Sequence, residues 1–264
     1  MYRPEVRFNW SVTGGTNSLR TALCVLVAIL LLLPATAHAG PPFLTDDPEP
    51  VEYRHWEFYL GTQDEITNDG ATGTAPHVEI NYGAAPNVQL HLIVPVGYSW
   101  PSGGPTMYGL GDVEVGAKFR FVQESEGKKI PMVGTFPLLE LPVGNESKGL
   151  GAGHVRAFIP VWFQKSFGPW TSYGGGGYWL NPGAGNHNFW FVGWQVQRRF
   201  SHHVTLGTEV FHTTADSIHA SSNQGFNVGL VLDLSEKQHV LFSAGRATAG
   251  HGEYQGYLAY QLTF

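Results

Sequence analysis

The chain has 264 residues, of which 14% are charged and 13% aromatic, with 34 glycines and a single cysteine. Low charge with many aromatics excludes a disordered protein, and a lone cysteine excludes a disulfide-stapled secreted domain. A mean hydropathy of -0.11 excludes a polytopic helical membrane protein, which leaves a Gly- and aromatic-rich β protein, either a secreted sandwich or a membrane barrel that is polar on average.

The first predicted element is a targeting segment. Residues 21–39 read TALCVLVAILLLLPATAHA, and the apolar part, Ala22 to Leu33, is too short to span a bilayer. Arg3, Arg7 and Arg20 supply a positive start, and Ala37 and Ala39 stand at the -3 and -1 positions of a cleavage site before Gly40. This pattern predicts a cleaved signal peptide over 1–39, a periplasmic segment over 40–52 and a barrel over 53–264. A retained anchor is the competing reading, and no basic stop-transfer cluster follows the run. Cys24 lies inside the run and lacks the small residues that precede a lipoprotein cysteine. Without Arg3, Arg7, Arg20 and Glu5, the 15 basic and 21 acidic side chains become 12 and 20, a net charge of -8. No basic patch remains to bind nucleic acid, and with no P-loop present no cofactor is expected.

Beyond residue 53 the sequence alternates with the period of a strand. Val88, Leu90, Leu92 and Val94 share a face against Gln89 and His91. In GDVEVGAKFRF, residues 111–121, Val113, Val115, Ala117, Phe119 and Phe121 oppose Asp112, Glu114, Lys118 and Arg120. Phe226, Val228, Leu230, Leu232 and Leu234 oppose Asn227 and Asp233, and Tyr254, Leu258, Tyr260, Leu262 and Phe264 oppose Gln255, Gln261 and Thr263. Connections between these runs alternate short and long: 84–86 short, 99–109 long, 166–169 short, 181–187 longer, 201–202 short, 215–223 long. The alternation predicts an all-β fold, a single antiparallel transmembrane β-barrel of about twelve strands with both ends on the short-turn side. A terminal Phe264 after Tyr260 and Leu262, with Gly256 upstream, has the form of a C-terminal signal read by the barrel assembly machinery. Trp56, Tyr98, Trp100, Tyr108, Trp170, Tyr178, Trp179 and Trp190 fall near predicted strand ends, where girdle aromatics meet lipid headgroups.

The run GLGDVEVGAKFRF, together with PPFLTDDPEPVEYRHWEFYLG near the start, resembles the outer-membrane proteins grouped as the meta-pathway of phenol degradation family. That resemblance covers essentially all of the chain after the targeting segment. It implies a transporter or channel in the Gram-negative outer membrane for small hydrophobic or aromatic compounds.

Function is then expected to reside in the lumen. The alternation turns inward His55, Glu57, His77, Glu79, His91, Asp112, Glu114, Lys118, Arg120, Arg156, Gln164, Gln195, Gln197, Arg199, Glu209 and Asp233. Asp112, Glu114, Lys118 and Arg120 on one strand read either as a constriction that filters solutes or as a salt-bridge ladder between strands. Pro137 and Pro160 fall in adjacent predicted strands at similar heights, and proline donates nothing to a ladder, which predicts either a lateral gap or plain bulges. A structural barrel without transport is one alternative. A lipid-modifying enzyme is another, for which Ser201, Ser243, His154, His203, His212 and Glu209 are the candidates. No G-x-S-x-G or H-E-x-x-H run accompanies them, and neither catalysis nor a metal is expected.

Overall fold

The computed structural model describes Pro42–Phe264 apart from residues 126, 128 and 250–253. The expected signal peptide and its cleavage site lie outside the described residues.

Fourteen strand segments are present among them: β1 (Trp56–Thr67), β2 (Gly70–Ala85), β3 (Val88–Pro101), β4 (Met107–Leu110), β5 (Val113–Val122), β6 (Met132–Thr135), β7 (Leu138–Leu141), β8 (Arg156–Phe167), β9 (Trp170–Leu180), β10 (Phe189–Arg199), β11 (Val204–Thr213), β12 (Asn223–Ser235), β13 (Gln238–Ala249) and β14 (Tyr254–Thr263). β4 and β5 both pair with β3, and β6 and β7 both lie between β5 and β8, so each pair is one wall strand broken in the middle. The breaks fall at Gly111–Asp112 and at Phe136–Pro137. β1 pairs antiparallel with β14, which closes the sheet into a barrel of twelve strands. Closure leaves no edge in the wall, the condition for a sheet to sit in lipid.

The alternation sorts the faces as the pattern requires. Leu60, Leu90, Phe119, Phe121, Ile159, Phe163, Val192, Val210, Val228, Leu258 and Tyr260 are exposed on the outside, while His77, Glu79, Gln89, His91, Lys118, Gln164, Gln195, Glu209, Asn227 and Gln261 are buried within. A polar interior and an apolar exterior are the reverse of a water-soluble sandwich.

Phe264 and Trp56 exchange backbone hydrogen bonds at what we term the turn end of the barrel. The tight turns 86–87 and 168–169 lie there too, Asn87 and Gly168 taking the positive φ such turns demand. Connection lengths depart from strict alternation. The β1–β2 link at the opposite, loop end is only Asn68–Asp69, and the stretch 123–131 at the turn end is long. His55 is exposed ahead of β1 and bonds the Tyr53 carbonyl, outside the lumen. Two girdle residues also differ from expectation: Tyr98 donates to Asp64 inside the barrel, and Trp179 stacks inward on Phe158. Trp56, Trp100, Tyr108, Trp170 and Trp190 are exposed.

Candidate functional site

The lumen divides by height. Its turn-end half is occupied by residues 42–51, the stretch expected on the periplasmic side, which runs against inward-facing side chains. Ser243 donates to the Pro42 carbonyl, and the Glu209 carboxylate takes the backbone N–H groups of Leu44 and Thr45, each at 2.9 Å. Gln89 takes the Val51 N–H at 2.9 Å, and Gln164 donates to Glu49 at 3.1 Å. Lys118, 4% exposed, puts Nζ 3.0 Å from Asp46 and 3.7 Å from Asp47. Glycines on the inner face make the room: a Cβ at Gly229 would stand 2.5 Å from the Phe43 ring, and one at Gly134 would stand 2.9 Å from Pro48. The segment carries three prolines and presents few N–H groups, and the wall supplies acceptors for those of Leu44, Thr45 and Val51. Burial pushes the Asp47 carboxyl well above the ordinary carboxylate range against the pull of Lys118, and burial raises Glu49 against its bond from Gln164.

Above the segment lies a belt of polar groups. Asn81 donates to Glu79 at 2.8 Å, and its carbonyl lies 2.7 Å from Nδ1 of His91, whose Nε2 lies 2.8 Å from Glu114. Both ring nitrogens of His91 therefore face an oxygen. Arg156 pairs with Glu140 and lies over the Trp179 ring. The loop-end half is hollow, with cavities of about 640 and 450 Å³ that share Gln63, Thr74, His77, Ile93, Pro95 and Asp112. Tyr257, Asn223 and Asn227 also line the larger, and the Tyr257 hydroxyl and both amide oxygens are buried without a hydrogen-bond partner.

One stretch of inner wall is apolar. Phe136, Phe158 and Trp162 are buried together, with Leu138, Trp179 and Phe191 packed against them. Phe158 stacks on Trp179 with ring centroids 4.8 Å apart. The patch coincides with a lapse in the wall. Gly134 pairs with Trp162 and Leu138 with Phe158, but no ladder pair joins Thr135–Pro137 to Ile159–Val161. The Thr135 hydroxyl, donating to the Pro160 carbonyl at 2.6 Å, bridges the interval.

The remaining predicted residues are distributed as follows. Glu57 accepts from Tyr59 at 2.7 Å in the lumen. Arg120 and Asp233 lie at the turn end, bonded to Asn87 and His239 respectively, and Arg199 is half-buried at the end of β10. The four charges of GDVEVGAKFR therefore form neither one ladder nor one filter: Asp112 holds a loop, Glu114 meets His91, Lys118 holds the segment and Arg120 ties a turn. The enzyme candidates form no triad, with Ser243 on Pro42, His154 on Asn181 at 2.8 Å, Ser201 accepting only the backbone N–H of His203, whose ring lies on the Asp233 carbonyl at 2.7 Å, and Glu209 on the segment. Sequence reasoning missed Asp46, Asp47, Glu49 and the aromatic patch. The only prior signal was a row of inner-face glycines, which a single sequence does not pair with a filling segment.

No protein-family model matches the chain, and no curated protein sequence matches it. Solved structures do. The barrel superposes on an outer membrane channel from Pseudomonas putida F1 with a TM-score of 0.67 at 15% identity, covering 86% of this chain and 100% of that one. The KdgM porin gives 0.53 at 12% identity, covering 80% of this chain and 99% of that one. The translocator domain of the autotransporter NalP from Neisseria meningitidis gives 0.52 at 10% identity, covering 94% of this chain and 96% of that one.

Proposed function

The fold is that of the outer-membrane β-barrels, and we propose that the protein is an outer-membrane channel for small hydrophobic or aromatic compounds, which enter at the loop end and leave sideways between the β6–β7 strand and β8. Lipid and the barrel assembly machinery are its other partners, the latter reading Gly256, Tyr260, Leu262 and Phe264. The observation that carries this reading is the coincidence of the inner aromatic patch with the ladder lapse at Pro137 and Pro160. A barrel whose outside faces lipid has no need of an apolar cluster inside for its own stability. The three aromatics themselves are shielded, and Phe191, packed against them, lines the larger cavity, so an apolar solute there meets an apolar surface whose burial is favourable by about 25 cal/mol per Å². Residues 42–51 lie across the straight route, and the seam beside the patch bypasses them.

Uptake of a panel of aromatic and aliphatic compounds by a deletion strain, complemented with the natural chain or with Pro137→Val/Pro160→Val, tests this. Restored backbone donors should close the seam, so uptake of apolar compounds falls while ion conductance in planar bilayers is unchanged. Equal uptake by both chains would rule out the lateral route. The filled turn-end half favours a second reading, a structural barrel without transport, and absence of both conductance and uptake would establish it.

A further inference from the structure

Residues 142–155, which join β7 to β8, do not rise from the rim but fold into the mouth. β7 stops at Leu141 opposite Val113, whereas β3 continues upward to Pro101, so the wall is low where this loop begins. Leu150 is 7% exposed, far less than a leucine at a loop tip in solvent. Three glycines line its pocket, and at Gly109 alone would a Cβ crowd it. The Leu150 Cδ1 and Cδ2 atoms stand 3.0 and 3.6 Å from where Cβ atoms of Gly109 and Gly97 would be, and its carbonyl stands 3.6 Å from that of Gly111.

Both arms of the loop are held by one side chain. Asp112 accepts the Gly144 N–H on Oδ1 at 2.9 Å and the Ala152 N–H on Oδ2 at 2.6 Å. Charge-assisted bonds of this kind are about twice as strong as neutral ones, and a carboxylate bridging two strands of a loop fixes their separation. Between the arms, Asn145 caps the short 3-10 turn Glu146–Lys148, its Oδ1 accepting from Lys148 N at 3.2 Å, and Leu150 N returns to the Asn145 carbonyl at 3.1 Å. The loop is thus a closed unit seated by Leu150 and latched by Asp112. Gly149 and Leu150 line both loop-end cavities, so the unit faces the hollow of the lumen.

We propose that residues 142–155 form the constriction of the lumen at the loop end, and that Asp112 is the latch that holds it and so limits the size of solute admitted. This rests on the reading of the barrel as a channel. It gives two members of the GLGD run, residues 109–112, one purpose, since Gly109 makes room for Leu150 and Asp112 holds the loop arms.

The test places one cysteine beneath the loop. Ile93, which lines both cavities, is changed to cysteine in a Cys24→Ser background, and its reaction with a polyethylene glycol maleimide is followed in proteoliposomes alongside single-channel conductance. Asp112→Ala should raise the labelling rate by about tenfold, and Asp112→Asn, which keeps one acceptor, by less. Conductance should rise by roughly a factor of two on removal of a constriction. Equal labelling of the natural chain and a correctly folded Asp112→Ala, judged by heat-modifiable gel migration, overturns the proposal. If Asp112→Ala fails to fold, Leu150→Ser unseats the loop with the latch intact, and unchanged labelling there overturns it equally. Faster labelling without ion current in any variant would retain the constriction and refute the channel. Current through the natural chain with unchanged labelling would do the reverse.

Discussion

The two halves of the lumen are built from the same kinds of side chain and end in opposite states. In the turn-end half, inward Gln89, Lys118, Gln164, Glu209 and Ser243 are spent on residues 42–51 and the space is filled. In the loop-end half, Asp64, His77, Glu79 and Tyr257 line cavities. The difference shows that inward polarity alone does not make a channel. Which groups face solute is decided by what else the chain places in the barrel.

The strongest way to break that contrast is Lys118→Ala. It leaves Asp46 and Asp47 in a buried site without their cation, a loss of about 3–5 kcal/mol. The wall is closed by twelve paired strands, so the segment should come away rather than the barrel unfold. Single-channel conductance should rise, and protease added at the turn end should cut within 42–51. A natural level of conductance would show that the filled half is no barrier. Glu209→Gln follows in size, because it turns one of the two oxygens that accept the Leu44 and Thr45 N–H groups into a donor and neutralises the other, a loss of about 1.5–3 kcal/mol.

A pH titration sharpens the same comparison. Burial raises Asp47 and Glu49 in the docked segment above their values in a released one, so the docked state holds protons more tightly. Docking is therefore strongest at acid pH and weakens as pH rises from the ordinary carboxylate range through the raised values. Conductance should increase over that window, and Asp47→Asn should flatten the profile. The smallest effect is expected from Thr135→Val, which removes the bridge to the Pro160 carbonyl at about 0.5–1.5 kcal/mol. It should raise uptake of apolar solutes slightly while leaving the turn-end half, and ion conductance, as they are.

The walls of this barrel were legible because alternation is a local property. Runs such as Val113–Val122 and Tyr254–Thr263 carry their facing in their own spacing. β9 is less legible, since Gly174–Gly177 have no side chains to alternate. The contents of the barrel were not legible for a different reason. PFLTDDPEPV, residues 42–51, has no period, and its place beside Glu209 and Lys118 depends on contacts 72 or more residues apart in sequence. Asp112 illustrates the same limit. Its inward facing followed from the pattern, whereas its partners, Gly144 and Ala152, follow only from where the β7–β8 loop folds.

β8 has an unusual pair of neighbours. Around Pro160 its ladder to the β6–β7 strand lapses, and on its other flank Pro160, Val161, Trp162 and Phe163 face Gly177, Gly176, Gly175 and Gly174. Cross-strand side-chain pairs are what stiffen a sheet against shear, and here one flank lacks them while the other lacks hydrogen bonds. Such a stave yields to shear. In a bilayer thinner or thicker than the apolar band, the misfit strain would concentrate on β8, so membrane thickness becomes a mechanical input to the part of the barrel that carries the aromatic patch.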